Sequence, residues 1–216
     1  MRKEYKTIKE FGQSEIIIEK SRFIGYAKPV ESEEDAVKFI NEIKEKHKDA
    51  THNVWAYTVG MNMEIQRYSD DGEPTGTAGI PSLEVIKKED LRNVAVVVTR
   101  YFGGIKLGGG GLIRAYTKGA KIGLEAGKII NRILFKNIIL KLEYTLLGKI
   151  QNEILNSHYI IKDTLYEDMV KMIVYSKVDD VEALKEKLID ITNGKIEIEE
   201  KEEFYLSEYQ GKIILE

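Results

Sequence analysis

The sequence predicts an α+β protein of two domains, and three observations predict it. Stretches with the two-residue rhythm of strands alternate with stretches of helical rhythm, that rhythm changes near residue 133, and the charge balance changes sign at the same place. Residues 1–133 hold 22 basic and 19 acidic side chains, a balance of +3, whereas residues 134–216 hold 11 and 17, a balance of −6, and the two sum to the net −3 of the 216-residue chain. We therefore expect an N-terminal domain over 1–133, a C-terminal domain over 134–206 and a tail over 207–216.

Taken in order, Glu15 to Val30 is rich in β-formers broken by charge and reads as two short strands or a bent hairpin. Ser32 with Asp35 three residues later is a capping box, and Val37, Ile40 and either Lys44 or Ile43 follow at helical spacing. Asn53–Val59 and Glu64–Tyr68 are two strands joined by the turn at Gly60. A loop dense in Gly, Pro and Asp then leads to a short helix from about Thr77 to Lys87. Asn93 to Tyr101 is nearly continuously apolar, which predicts a central strand covered on both faces. It ends in a glycine-rich stretch, Gly103 to Gly111, and a long helix is expected from there to about Ile130. Beyond it, Ile138, Leu140 and Leu142 alternate with polar positions, and Leu147, Ile150 and Ile154 mark a helix. Strands at Tyr159–Tyr166 and Met169–Tyr175 precede a second helix carrying Val181, Leu184, Leu188 and Ile191. That helix stops at Asn193-Gly194, and Ile196 opens a last strand. The order β-α-β-β-α-β is the ferredoxin-like pattern.

Composition narrows the chemistry. With 43% hydrophobic and 32% charged residues the chain can bury ordinary cores. The absence of cysteine removes disulfides, thiolate metal sites and cysteine nucleophiles. His47, His52 and His158 include no pair at the i, i+4 spacing of a helical metal site. The charged start leads into no apolar segment, and the longest purely aliphatic stretch, Ala95 to Val98, is too short to span a bilayer. The expectation is a cytoplasmic protein that engages no membrane and needs no metal or cofactor.

One constellation concentrates positive charge. Wound as a helix, Arg114, Lys118, Lys121, Glu125, Lys128 and Arg132 share one face, while Gly119, Gly123 and Gly127 lie opposite, where close packing on the sheet is the simplest reason for three helical glycines. Arg100 to Arg132 holds seven basic residues and one acidic one. Single-sign charge repels itself unless it meets an anion. The helix start adds unpaired amides and the positive end of the dipole. We therefore expect an anion or nucleic-acid site of Arg100, Lys106, Gly108, Gly109, Gly110, Arg114, Lys118 and Lys121. The stretch lacks the Lys-Ser/Thr of a nucleotide-hydrolysing loop. A second loop, Asp70, Asp71, Gly72 and Glu73 with Thr77, could hold a cation or could simply cap the following helix, and no catalytic residue stands out.

The runs Ser69-Asp-Asp-Gly-Glu-Pro-Thr-Gly-Thr-Ala-Gly-Ile-Pro81 and Val98-Thr-Arg-Tyr-Phe-Gly-Gly-Ile-Lys-Leu-Gly-Gly-Gly-Gly-Leu-Ile-Arg-Ala-Tyr116, with His52-Asn-Val-Trp-Ala-Tyr57, closely resemble the signature of the YigZ/IMPACT family. The resemblance implies an N-terminal domain with the ribosomal-protein-like β-α fold of domain four of elongation factor G, a C-terminal domain similar to that factor's domain five, and a tie to translation. It carries no catalytic residue. Three functions follow as expectations. The first is a non-enzymatic RNA- or ribosome-associated protein. The second is a metal-dependent enzyme acting on a phosphorylated small molecule across the two loops, and the third is an interaction module for an acidic protein.

Overall fold

The computed structural model describes residues 2–215, which divide into two units: residues 5–131, and residues 2–4 with 132–215. The protein is α+β, with two antiparallel sheets and five α-helices among the described residues.

A short first strand, β1 (Glu4–Ile8), precedes β2 (Gly12–Ile18) and β3 (Ser21–Pro29), which form the expected hairpin. Its turn residues, Glu19 and Lys20, both take positive φ, matching the twist of a tight two-residue connection. Helix α1 (Glu33–Lys46) starts at Ser32, whose side chain accepts from the Asp35 amide. Strands β4 (His52–Val59) and β5 (Ile65–Ser69) follow, then α2 (Gly79–Lys88), β6 (Val94–Tyr101) and α3 (Gly108–Ala126). The sheet order is β2-β3-β6-β4-β5.

Strand β6 explains the layering. Residues Val94 to Arg100 are all buried. Val94, Val96 and Val98 pack with α2 and α3, whereas Ala95 and Val97 pack with Phe39, Ile40 and Ile43 of α1. The period-two alternation of a strand thus serves two cores at once.

The helical glycines do what their spacing suggests. A Cβ on Gly25 of β3 would lie 2.0 Å from the Gly119 carbonyl oxygen, and one on Gly123 would lie 2.9 Å from the Gly25 carbonyl carbon. Helix α3 therefore rests backbone to backbone on β2 and β3. It ends four residues earlier than its pattern suggests, because Lys128 takes φ 60° and Ile129 already belongs to the next strand. Lys128 and Arg132 consequently leave the basic face. Gly108 to Gly111, expected as loop, form the helix's first turn.

In the second unit the chain runs β7 (Ile129–Leu142, from residue 132), α4 (Tyr144–Leu155), β8 (Ile160–Tyr166), β9 (Val170–Lys177), α5 (Val181–Thr192), β10 (Glu197–Tyr209) and β11 (Lys212–Ile214). The sheet order is β11-β10-β7-β9-β8. Ile138, Leu140, Ile150, Ile154, Leu184 and Leu188 join one core. Residues 207–214, expected as tail, complete β10 and form β11, paired antiparallel. Among the described residues no helix is long and apolar enough to cross a membrane.

Candidate nucleic-acid interface

The N-terminal unit places most of the expected cations on one surface. Lys106, Arg114 and Lys118 are exposed and line one groove of about 460 Å³, with Ile105, Leu107 and Glu19 among its other walls. None of the three makes an ion pair within 4 Å among the described residues. Lys121 is also exposed, but Glu125 one turn on stands 3.8 Å from its Nζ.

The start of α3 adjoins this groove. Leu107 occupies the cap position with no side-chain hydrogen bond to the leading amides, and the first turn holds no acidic residue. Neither a side-chain cap nor a first-turn carboxylate thus offsets the positive end of this 19-residue helix. Gly108, Gly109 and Gly110 are all exposed. Gly108 has φ +69°, which accounts for a glycine there. Gly109 and Gly110 have no such requirement. A Cβ on Gly109 would meet nothing nearer than the Thr77 methyl at 3.9 Å, and one on Gly110 nothing nearer than Arg114 Nη1 at 3.7 Å. Internal packing does not demand glycine at either position, and glycine costs about 1 kcal/mol against alanine inside a helix.

Arg100 departs from its expected place. It is 5% exposed, and its Nη1 donates to Glu73 Oε1 at 2.6 Å. Its guanidinium carbon sits 5.4 Å from the ring centroids of both Phe23 and Phe102. The same Glu73 oxygen accepts from Tyr116 at 2.7 Å. Burial first, and then that bond to Glu73, hold the Tyr116 hydroxyl protonated far above the usual tyrosine range. The charge pattern alone predicts a surface cation at Arg100, but it stands in a strand buried on both faces, where a charge persists only with a partner.

The acidic loop is largely occupied with the fold. Asp70 accepts from the amides of Gly76, Ala78 and Gly79 at 2.8–3.1 Å, holding the loop to the start of α2. Asp71 accepts from the Asn53 amide at 2.7 Å and from Lys44 at 2.8 Å. Gly72 takes φ +89° beside His52, and Thr77 donates to the Pro74 carbonyl. Among the described residues no three His, Asp or Glu side chains gather as a metal ligand set. Glu73 nevertheless brings this loop to the glycine turn, since Glu73 and Gly108 line a common cleft of about 340 Å³.

Sequence reasoning passed over two residues of that cleft. His52 donates from Nδ1 to the Asp71 carbonyl at 2.7 Å, because a carbonyl can only accept, and its Nε2 faces Glu73 Oε2 at 3.8 Å. Phe102 stands 47% exposed. The available signal was a pair of aromatics, Tyr101 and Phe102, directly ahead of a glycine-rich turn.

Comparison with known proteins places the chain among relatives. Residues 19–124 match the Impact N-terminal domain, and residues 140–195 match a Domain of unknown function (DUF1949). The chain is similar to the IMPACT family member YvyE of Bacillus subtilis, 48% identical over 202 residues that span 94% of this chain and 93% of that one. It is also similar to the IMPACT family member YigZ of Escherichia coli, 32% identical over 190 residues, 84% of this chain and 90% of that one. Protein IMPACT of Danio rerio is 37% identical over 94 residues, 41% of this chain and 29% of that one. A solved structure described as that of a hypothetical protein matches with a TM-score of 0.58 and 28% identity, over 92% of this chain and 97% of that one.

Proposed function

This chain belongs to the IMPACT family, and from that footing we propose that it is a non-enzymatic, RNA- or ribosome-associated protein linked to translation, which seats phosphates on the first turn and basic face of α3. One observation carries the reading. Lys106, Arg114 and Lys118, unpaired and lining one groove, adjoin an uncapped helix start whose Gly109 and Gly110 leave open space that the fold does not use. Unpaired amides, a helix dipole and free cations together favour phosphate oxygens. An anion reaching those amides needs the clearance that glycine provides.

The architecture is consistent with the reading. We take the N-terminal unit as the ribosomal-protein-like fold of domain four of elongation factor G. We take the C-terminal unit as ferredoxin-like, with β10-β7-β9-β8 as the sheet order that supports it. Binding suits the site better than chemistry, because Asp70, Asp71 and Glu73 are already tied to amides or cations of the fold. A cytoplasmic location belongs to the same proposal.

The test is fluorescence anisotropy with labelled single-stranded RNA, comparing the natural protein with an Arg114→Glu, Lys118→Glu variant. Both residues are exposed, so the variant should fold, and it should lose measurable binding. Unchanged affinity in a folded double variant would contradict the proposal.

A further inference from the structure

The cleft beside the phosphate seat differs from it in kind. Pro74, Phe102, Leu107 and Leu112 give it apolar walls, and His52, Arg100 and Lys106 place polar groups among them. Its volume of about 340 Å³ lies at the small end of the range for ligand pockets. Glu73 also stands in the wall, with one oxygen shared by Arg100 and Tyr116. A carboxylate there repels a phosphate but not a neutral, flat group.

Two further observations point to an occupant. Arg100 is 5% exposed and lines the cleft, and its buried Nε–H has no hydrogen-bond partner among the described residues. That donor is itself closed to solvent, so a ligand acceptor reaches it only if the Arg100 side chain shifts. Phe102 offers an aromatic ring at the cleft mouth with Arg100 set against it, which is the cation–aromatic combination on which nucleobases stack. Gly108 and Gly109 line this cleft as well as starting α3, so a base in the cleft lies next to a phosphate on the helix amides.

Resting on the phosphate-binding function proposed above, we infer that the cleft between the Glu73-Pro74 loop and the first turn of α3 receives one unpaired nucleobase, stacked on Phe102, so that the ligand is single-stranded rather than duplex nucleic acid. A duplex keeps its bases stacked on one another and cannot deliver one to this cleft without first unpairing it. Strand sequence enters only through what fits between Phe102 and Pro74, so the preference for particular bases is weak.

The experiment uses the full chain and three labelled probes of equal length: an oligouridylate, the same backbone with abasic sugars, and an RNA duplex. The oligouridylate should bind about 5- to 150-fold more tightly than the abasic strand, the range for losing one stacked base, and more tightly than the duplex. Phe102→Ala should reduce oligouridylate affinity to the abasic level while leaving its salt dependence unchanged, and Phe102→Trp should retain the preference. Phe102 is exposed, so these variants test stacking rather than folding, and a thermal melt confirms this. Equal affinity for all three probes, or a Phe102→Ala variant with the natural preference, would overturn the base cleft while leaving the phosphate seat standing. If none of the probes binds, the phosphate seat itself fails and the base cleft falls with it.

Discussion

Replacing Gly109 and Gly110 together with alanine should make the protein more stable and a poorer binder. Both glycines lie in the first turn of α3, outside the positive-φ region, and the nearest atoms to an added Cβ stand at 3.9 and 3.7 Å, ordinary contact distances. The native backbone therefore accepts alanine without strain. Each replacement should stabilise by about 0.4–1 kcal/mol, largely by restricting the unfolded chain, giving about 1–2 kcal/mol for the pair. The new methyl groups would stand where a phosphate approaches the leading amides. Losing one charge-assisted hydrogen bond costs about 1.5–3 kcal/mol, so affinity should drop about 10- to 150-fold. Stability can be followed by urea unfolding through Trp55, the single tryptophan, which lies on β4 of the same unit. Binding can be followed by anisotropy on the same samples. A destabilised variant would refute the claim that the fold does not need these glycines. A stabilised variant with natural affinity would refute the claim that a ligand does.

Other glycines should behave differently, and so should the buried charges. Gly108→Ala must hold φ +69° with a side chain and should destabilise by about 1 kcal/mol. Gly25→Ala would drive a Cβ to within 2.0 Å of the Gly119 carbonyl oxygen and should prevent the N-terminal unit from folding stably, seen as loss of the cooperative Trp55 transition. Arg100→Met leaves Glu73 buried opposite a neutral group and should cost about 3–5 kcal/mol in urea unfolding. In the C-terminal unit, hydrogen bonds from Lys185 and Lys136 hold the Glu200 carboxyl down at about 2. A carboxyl whose folded pKa is depressed stabilises above its unfolded value and loses that contribution as pH falls towards the folded one. Glu200→Gln should therefore be less stable than the natural protein near neutrality, with the difference closing between about pH 4.5 and 2, measured by denaturant midpoints across that window.

How legible each feature was depends on how local its cause is. Gly119 and Gly123 were legible as a packing face because their spacing and their cost in a helix are both properties of the sequence. β6 was legible because its apolar run is longer than one buried face requires. The end of α3 was not legible, since nothing in Lys128 announces a left-handed residue and the basic pattern continues through it. Arg100 depends on Glu73, 27 residues away, which sequence spacing cannot reveal. A position inside a doubly covered strand was nonetheless a sign that its charge would be paired inward. Lys106, Arg114 and Lys118 share a groove because the turn after β6 folds back beside α3, and only the charge bias of that segment was visible beforehand. The role of Asp70 was half visible: a carboxylate ahead of a helix suggests capping, but not that one side chain serves three amides. Strands β1 and β11, of five and three residues, are too short to show a periodicity.

The most direct measurement is the affinity for single-stranded RNA as a function of salt. Three unpaired cations meeting three phosphates imply a slope of about −2 in log affinity against log salt, so a fourfold rise in salt should weaken binding about 15- to 20-fold. Arg114→Glu with Lys118→Glu should remove both the affinity and the slope. Binding that ignores salt, or a slope that survives the double substitution, would contradict a phosphate seat at the start of α3.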